Sequence, residues 1–445
     1  MPTTTYWAPN QAAVAQVRTY TFTAPNSVGN TYKATLNGKT VTYTSVASDT
    51  AALVATGLFN LLNVTTGIAA EFTEITFANP SDGSMTATAK EPGTPFAGVP
   101  GTDKGLVLST GNGLANGITT ANTTANASPS DVNDAQNWLR INTGVTPPSQ
   151  TRAIPVNGDD VGVSNSGIPM LWNLDQLAAV QFQTYTRWQS MTGAIGLPEN
   201  NPLGYKEWRA TYFKFVGPQG STPAGGLVMI LGQGSASSGP TRERYDVGSQ
   251  KTTLTILAAG QPADEYSVRF LGTHTDNTFT VLGGVSLGIA MLDGEIANLS
   301  SSTVDGNSAI GLGAGLTWTA ASTLTMFGGT AIMHAAPATL LLNNGAQVVV
   351  ARDALTWTTI TQKGSSGMTW LAGGTITTHT METGSTLDKS LDLRTLTITN
   401  STIDGDTCTY VDPNNAIVWT NATSVKQQVV SGPFQFTGTR TVKVT

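Results

Sequence analysis

Residues able to do acid–base, metal or nucleophilic chemistry are few and scattered in this chain. Charged side chains make up 11% of 445 residues, against roughly 25% in an ordinary soluble domain. A glycan-cleaving centre needs two carboxylates roughly 5–10 Å apart. Three places bring acids near one another in sequence. Asp159 and Asp160 are adjacent, and adjacent side chains of a strand point to opposite faces, so the pair reads as turn capping. Asp404 and Asp406 would share one face if extended and could act as an acid pair or bind Ca²⁺. With Gly405 between them, a plain turn is the simpler reading. Glu243, Asp246, Asp264 and Glu265 form a loose mid-chain cluster and read as solvated loop positions.

Nucleophiles and metal ligands fare no better. The three histidines are His274, His334 and His379, and no two stand at a metal-type spacing such as H-x₃-H. Gly364-Ser365-Ser366-Gly367 lacks the G-x-S-x-G frame of a nucleophile elbow. The glycine clusters at 111–117 and 311–315 miss the G-x-G-x-x-G spacing of a dinucleotide loop and read as turns. The single cysteine, Cys408, forbids an intrachain disulfide framework and reads as an inert small hydrophobe. Trp188, Trp318, Trp357 and Trp370 sit in strand-like runs where core packing is the default. Trp208, flanked by charges in YKEWRATYF, is the better candidate for an exposed or inter-subunit contact. The expectation is a protein with no catalytic residues, no cofactor and no metal.

The elements that would have to position any such group are β-strands. The chain is rich in Gly (48 residues) and in small and hydroxylated residues, which favours strands and tight turns over helices. The net charge is −6 and no run of basic residues exceeds two, which argues against nucleic acid as a partner. No window approaches 18 uncharged apolar residues, so no membrane helix is expected. The N-terminus lacks the basic and apolar regions of a secretory leader, so synthesis in a cytoplasm and release by another route, such as lysis, is expected.

Four regions follow. Residues 1–100 read as an α+β module of order ββ-α-ββ. Its alternating runs are VRTYTFTA and YKATL, and Asn37-Gly38 is a hairpin turn followed by TVTYTS. Ser48-Asp49 is the expected N-cap of an amphipathic helix carrying Leu53, Val54, Leu58, Leu61 and Leu62. Strands near 74–78 and 84–89 close the module. Residues 101–130, rich in Gly, Asn, Thr, Ala and Ser, read as a flexible linker. Residues 131–400 read as a right-handed parallel β-helix: short strands punctuated by Gly, Asn, Ser and Asp, with Trp138 closing the start of its hydrophobic column. LTMFGGT and MTWLAGGT place two GGT triplets at 328 and 373, an offset of 45 that fits two coils of about 22 residues and would stack His334 and His379 on one face. Residues 401–445 read as a C-terminal β cap or an inter-subunit strand region.

The segment YKATLNGKTVTYTSVASDTAALVATGLFNLLN resembles a small module of phage virion proteins. Tyr6-Trp7, the NW…P…GDDV run (137–161), SMTGAIGLPENNPLGYKEWRATY, FLGTHTDNTFTVLGG and VDPNNAIVWTNAT resemble uncharacterised phage and prophage proteins over most of the chain. The resemblance implies a structural virion component, decorating, cementing or projecting from the capsid, with no defined reaction. The implied place is the particle exterior, at the capsid rather than the tail, and the implied partners are the major capsid protein or other virion proteins. Few charges on open hydroxyl-rich faces suggest a homotrimer. Two other classes compete: a tailspike or tail fibre that binds or cleaves host surface polysaccharide, and a cell-surface adhesin.

Overall fold

The computed structural model describes residues 3–64, 68–79, 81–97, 105–170, 182–196, 212–214, 226–234, 243–257, 266–282, 286–289, 295–306, 308–404, 407–421, 423–425 and 442–444. The chain is mainly β, with a single α-helix among the described residues, and a β-solenoid of about nine turns follows a small N-terminal β module.

The solenoid is built on two parallel sheets that the chain visits alternately. Sheet A runs from Thr4–Trp7 and Asp160–Val163 through Thr184–Trp188, Leu227–Gln233, Thr252–Ile256 and Thr278–Val281 to Leu396–Asp404 and beyond. Sheet B runs from Phe213–Lys214 and Glu243–Asp246 to Thr386–Asp388 and Thr409–Val411. Alternation along each strand sends every second side chain inward, where parallel pairing stacks it on its counterpart in the next coil. Leu231, Ile256, Val281, Val304, Met326 and Leu342 form one such column in sheet A. Phe270, Ile289, Leu312, Met333, Val350 and Trp370 form its counterpart in sheet B. Both columns are buried. In several coils the sheet A strand is long, as in Ala297–Asp305 and Gly374–Glu382, and pairs with its neighbour along most of its length, with a register shift between Leu299 and Ser301 in the first.

Coil length is uneven: 25 residues from Thr253 to Thr278, but 16 from Leu324 to Leu340. The 45-residue offset is not a count of whole coils. Leu324 belongs to sheet A and Met368 to sheet B, so the two GGT triplets sit at opposite corners. Glycine turns recur at both corners because both need tight reversals, so local similarity identified a kind of corner rather than a coil register. His334 accordingly follows the sheet B strand Thr330–Met333 while His379 lies inside the sheet A strand Gly374–Glu382, and they do not stack.

The N-terminal module has two antiparallel sheets, not one. The first orders Ile75–Ala78, Ser84–Ala89, Val17–Phe22 and Ile118–Thr124; the second orders Lys39–Thr44, Thr31–Leu36 and Val107–Gly111. The expected hairpin is present, with Leu36 opposite Lys39 and positive φ at Asn37 (51°) and Gly38 (74°), the type I′ geometry. Helix Ala51–Leu62 covers the core with Val54, Ala55, Leu58 and Leu62. Leu53 and Leu61 instead face solvent. The cap is Thr50, whose hydroxyl accepts from Leu53 N, while Asp49 accepts from the Tyr43 hydroxyl and Val46 N.

Two boundaries differ from expectation. Of residues 101–130, the described part from 105 onward is no free linker, since Val107–Gly111 and Ile118–Thr124 pair with Thr31–Leu36 and Val17–Phe22. Apart from Val107, Leu108 and Ile118 both strands are polar, and none of their residues is fully buried, so little in their own pattern marked them; backbone pairing and the packing of Leu108 and Ile118 on the core hold them. The first strand, Thr4–Trp7, belongs to the solenoid, pairing with Asp160–Val163 and Trp138–Asn142. The module is therefore inserted between the solenoid's first and second strands, and it leaves and returns through neighbouring segments that bridge at Val14 and Ala127. At the other end, Thr409–Val411 and Ile417–Trp419 extend the two sheets rather than forming a separate cap, and the expected strand at 434–437 lies outside the described residues.

Candidate functional site

Three groups of polar side chains are organised enough to be weighed as sites. The first is the neck between module and solenoid. Asn137 is fully buried there. Its Oδ1 accepts from the backbone N–H of Asn10 (3.2 Å) and Gln11 (3.1 Å), and its Nδ2 donates to the carbonyls of Ser128 (2.8 Å) and Asp131 (2.9 Å). One side chain thus ties the outgoing strand to the returning turn and leaves no amide group unmatched. Beside it Trp138 packs edge-on against Trp7, ring centroids 5.0 Å apart, and donates its indole N–H to Val132 O at 2.7 Å. Trp138 does close the hydrophobic column, as its position suggested. Asp159 completes the neck, accepting from Thr5 Oγ1 (2.8 Å), Val156 N (3.0 Å) and both Nε and Nη2 of Arg140 (3.1 Å each). Asp160 takes the Thr184 hydroxyl at 2.7 Å, so the two acids do diverge and form no pair.

The second group lies inside the early coils. Arg187 and Glu243 are both buried, with Nε to Oε1 at 2.7 Å. Tyr245 donates to Glu243 Oε2 at 2.7 Å and meets the Tyr185 hydroxyl at 3.3 Å. Burial pushes the Glu243 carboxyl up, opposed by Arg187 and by the Tyr245 hydroxyl. Asp246 ends the same strand and accepts from Gly248 N, so it joins no acid pair with Glu243. Asp264, Glu265 and Trp208 lie outside the described residues, as does Asp406, which leaves Asp404 without its proposed partner to test.

The third group replaces apolar packing in the late coils. Ser401 Oγ meets Tyr410 Oη, Tyr410 Oη meets His379 Nδ1, and His379 Nε2 meets Gln362 Oε1, each at 2.8 Å. Gln362 Nε2 then donates to Thr386 O at 2.9 Å. With a neutral imidazole protonated at Nε2 the donors run in one direction from Ser401 to Thr386 O. Serine, tyrosine and histidine in line look like a proton relay, but Ser401, Tyr410, His379 and Gln362 are all buried and face one another across the solenoid interior. Burial holds the imidazole at a pKa of about 3. The arrangement can satisfy polar groups and fix the alignment of four strands; it presents no group to a substrate. Only the inward position of His379 in its alternating strand could have signalled it.

The remaining candidates are dispersed. His274 Nδ1 accepts from Asp276 N in a turn, and the His334 carbonyl accepts from Arg352. Trp357 and Trp370 are core residues in edge contact at 4.9 Å, as expected. Trp188 departs from expectation. It is half-buried, and a Cβ placed on Gly162 would meet both its ring (3.0 Å) and that of Tyr6 (2.8 Å). The two aromatics therefore flank a bare glycine on the outer side of sheet A. Cys408 is buried. Among the described residues no group of three His, Cys, Asp or Glu is placed to hold a metal ion, and no helix is long and apolar enough to cross a membrane.

No protein-family model matches the chain, and neither a curated protein nor a solved structure matches it.

Proposed function

We propose that this chain is a non-enzymatic structural component of a bacteriophage virion, a homotrimer that decorates, cements or projects from the exterior of the capsid. The observation that carries the reading is the neck. A compact module set into the end of a solenoid on two paired tethers, locked by Asn137, suits a docking unit that transmits load to a projecting shaft. The sequence resemblance of that module supplies the phage half of the proposal. The Arg187–Glu243 pair and the Ser401–Tyr410–His379–Gln362 line are matched internally rather than turned outward, which fits a role exercised through shape. The proposed partners are the major capsid protein or other virion proteins, with neither nucleic acid nor membrane involved. Labelling purified particles with an antibody to the module tests this. Signal on the head surface at symmetric positions is the expected result; absence from the particle would sink the proposal.

A second reading has one observation in its favour. The half-exposed Tyr6 and Trp188 beside Gly162 could stack on a sugar ring, as a polysaccharide-binding tail protein requires. Retention of host polysaccharide that is lost in Trp188→Ala would favour it, and release of reducing sugar would show an enzyme.

A further inference from the structure

The outer side of sheet A carries two ranks of hydroxyl groups in register. One rank runs Thr253, Thr278, Ser301, Thr323, Thr339, Thr359, Thr378 and Asn400. The other, two residues further along each strand, runs Thr255, Thr280, Thr303, Thr325, Leu341, Thr361, Thr380 and Thr402. Thr-x-Thr therefore recurs in five of these eight coils, with Ser301, Leu341 and Asn400 as the departures, although coil length varies from 16 to 25 residues. The insertions fall elsewhere in the coil and leave this face in step. Sheet B is less uniform: one outer rank reads Arg244, Arg269, Gly288, Gly311, Ile332, Val349, Thr369, Asp388 and Val411, and the other reads Ala309, Thr330, Gln347, Gly367, Thr386 and Thr409. Thr-rich composition alone would have populated both faces.

The chemistry of these two ranks disfavours the common occupants. Neither rank contains a charge or an aromatic ring, although the next outward positions along the same strands carry Asp305, Phe327, Glu382 and Asp404 at the edge of the array. Nucleic acid needs concentrated positive charge. Protein interfaces centre on aromatic, Met and Arg anchors, with Ser and Thr under-represented among the residues that carry affinity. Sugars stack on aromatic rings; Phe327 stands singly at the edge of the array, and the pair Tyr6 and Trp188 lies at the far end of the sheet. What remains is water itself, held as an ordered lattice. Threonine is β-branched and restricted at χ1, so each rank repeats one hydroxyl and one methyl in a fixed orientation. Neighbouring strands lie about 4.7–4.9 Å apart, and residues two apart along a strand lie about 6.6 Å apart. The result is a two-dimensional array of hydroxyls with methyls between them. Among the described residues no protein group bonds to the threonine hydroxyls of either rank, so they are free to bond to water. Water-mediated bonds are nearly as good as direct ones when the water's immobilisation is shared with an existing order.

We propose that the outer face of sheet A binds ice, taking the first water layer of a growing crystal as its ligand and so restraining the crystal's growth. This inference stands apart from the virion reading: either can fail alone. The test uses the full-length chain in an ice-recrystallisation assay, with Thr303→Tyr and Thr325→Tyr as array variants and Thr369→Tyr, on sheet B, as the control. Circular dichroism melts establish that each variant is folded. The expected result is inhibition by the wild type, retention in Thr369→Tyr and loss in both array variants. Two results would overturn the proposal. One is a wild type that leaves ice growth unchanged. The other is array variants that keep their inhibition, or that break an oligomer without altering ice growth, which would assign the face to a second copy of the chain. Should the array variants not fold, Thr303→Val and Thr325→Val keep the β-branched shape and remove the hydroxyls, and unchanged inhibition in their double variant would equally reject the array.

Discussion

The module and the solenoid solve the same problem by opposite means. In the module, strands pair antiparallel and the tightest pairing is closed by two residues, Asn37 and Gly38. Its core is one cluster of bulky side chains around Tyr20, Tyr32, Leu58, Phe72 and Phe96. In the solenoid every strand beyond the cap waits for a parallel partner a whole coil away, and the core is a set of columns one side chain wide. The module should therefore lose stability at particular turns and contacts. The solenoid should be sensitive wherever a column is interrupted, because a fault there is shared only with the coils above and below. The solenoid nevertheless interrupts its columns with polar groups, among them Arg187–Glu243 and the Ser401–Tyr410–His379–Gln362 line, and both are internal.

The largest expected effect comes from opening the first of these. Glu243→Leu leaves Arg187 buried and uncompensated, which should destabilise the solenoid by about 3–5 kcal/mol. The double variant Arg187→Met/Glu243→Leu should recover most of that loss. Urea unfolding followed by tryptophan fluorescence checks both, because the described tryptophans belong to the solenoid and its cap. In the module, Leu58→Ala should destabilise by about 2–5 kcal/mol. It should leave the tryptophan transition in place, so a shared shift of both would show that the two regions unfold as one.

The neck decides how far they are coupled. Asn137→Ala strands two N–H donors and two carbonyl acceptors, a loss of about 1–3 kcal/mol for each group left unsatisfied and out of reach of water. Limited proteolysis should then cut near residues 8–14 or 126–134 before either body is digested; an unchanged pattern would remove Asn137 from its assigned role.

The second polar line makes a pH prediction. His379 stays neutral in the folded chain down to about pH 3, whereas the unfolded imidazole takes a proton near 6.5. Between those values the unfolded state binds the extra proton, so stability falls as pH drops through that window and is unaffected by this group above it. By pH 5.5 the loss should reach about 1.4 kcal/mol. Melting temperatures from pH 7 to 5 should show it, and His379→Gln should flatten the profile. Of similar size, Gly38→Ala forces a side chain into a left-handed turn and should weaken the module by about 1–2 kcal/mol, with no change in the solenoid.

Much of this architecture was legible from residues alone. Alternation announced the strands, Asn37-Gly38 announced the hairpin with its register, and short runs between turn residues announced a solenoid, because each of these signals is local. The strands at Val107–Gly111 and Ile118–Thr124 were invisible for the converse reason. Each offers the core a single apolar side chain, Leu108 or Ile118, too little to read as an alternating pattern, and pairing with the backbone of Thr31–Leu36 and Val17–Phe22 makes them strands. The coil register was equally hidden, since corners of both sheets use the same glycines. Asp159 looked like a turn residue and Asn137 like no more than the start of the NW run; both are neck residues because segments more than a hundred positions away, at Asn10, Gln11 and Thr5, come to meet them. The sequence by itself determined the class of fold, the turn chemistry and the scarcity of chemical groups, all properties of composition and short-range pattern. The tertiary structure alone decided which polar side chains face one another inside, where the module is rooted, and that scattered threonines line up on one face, because parallel pairing brings together residues that no local period relates.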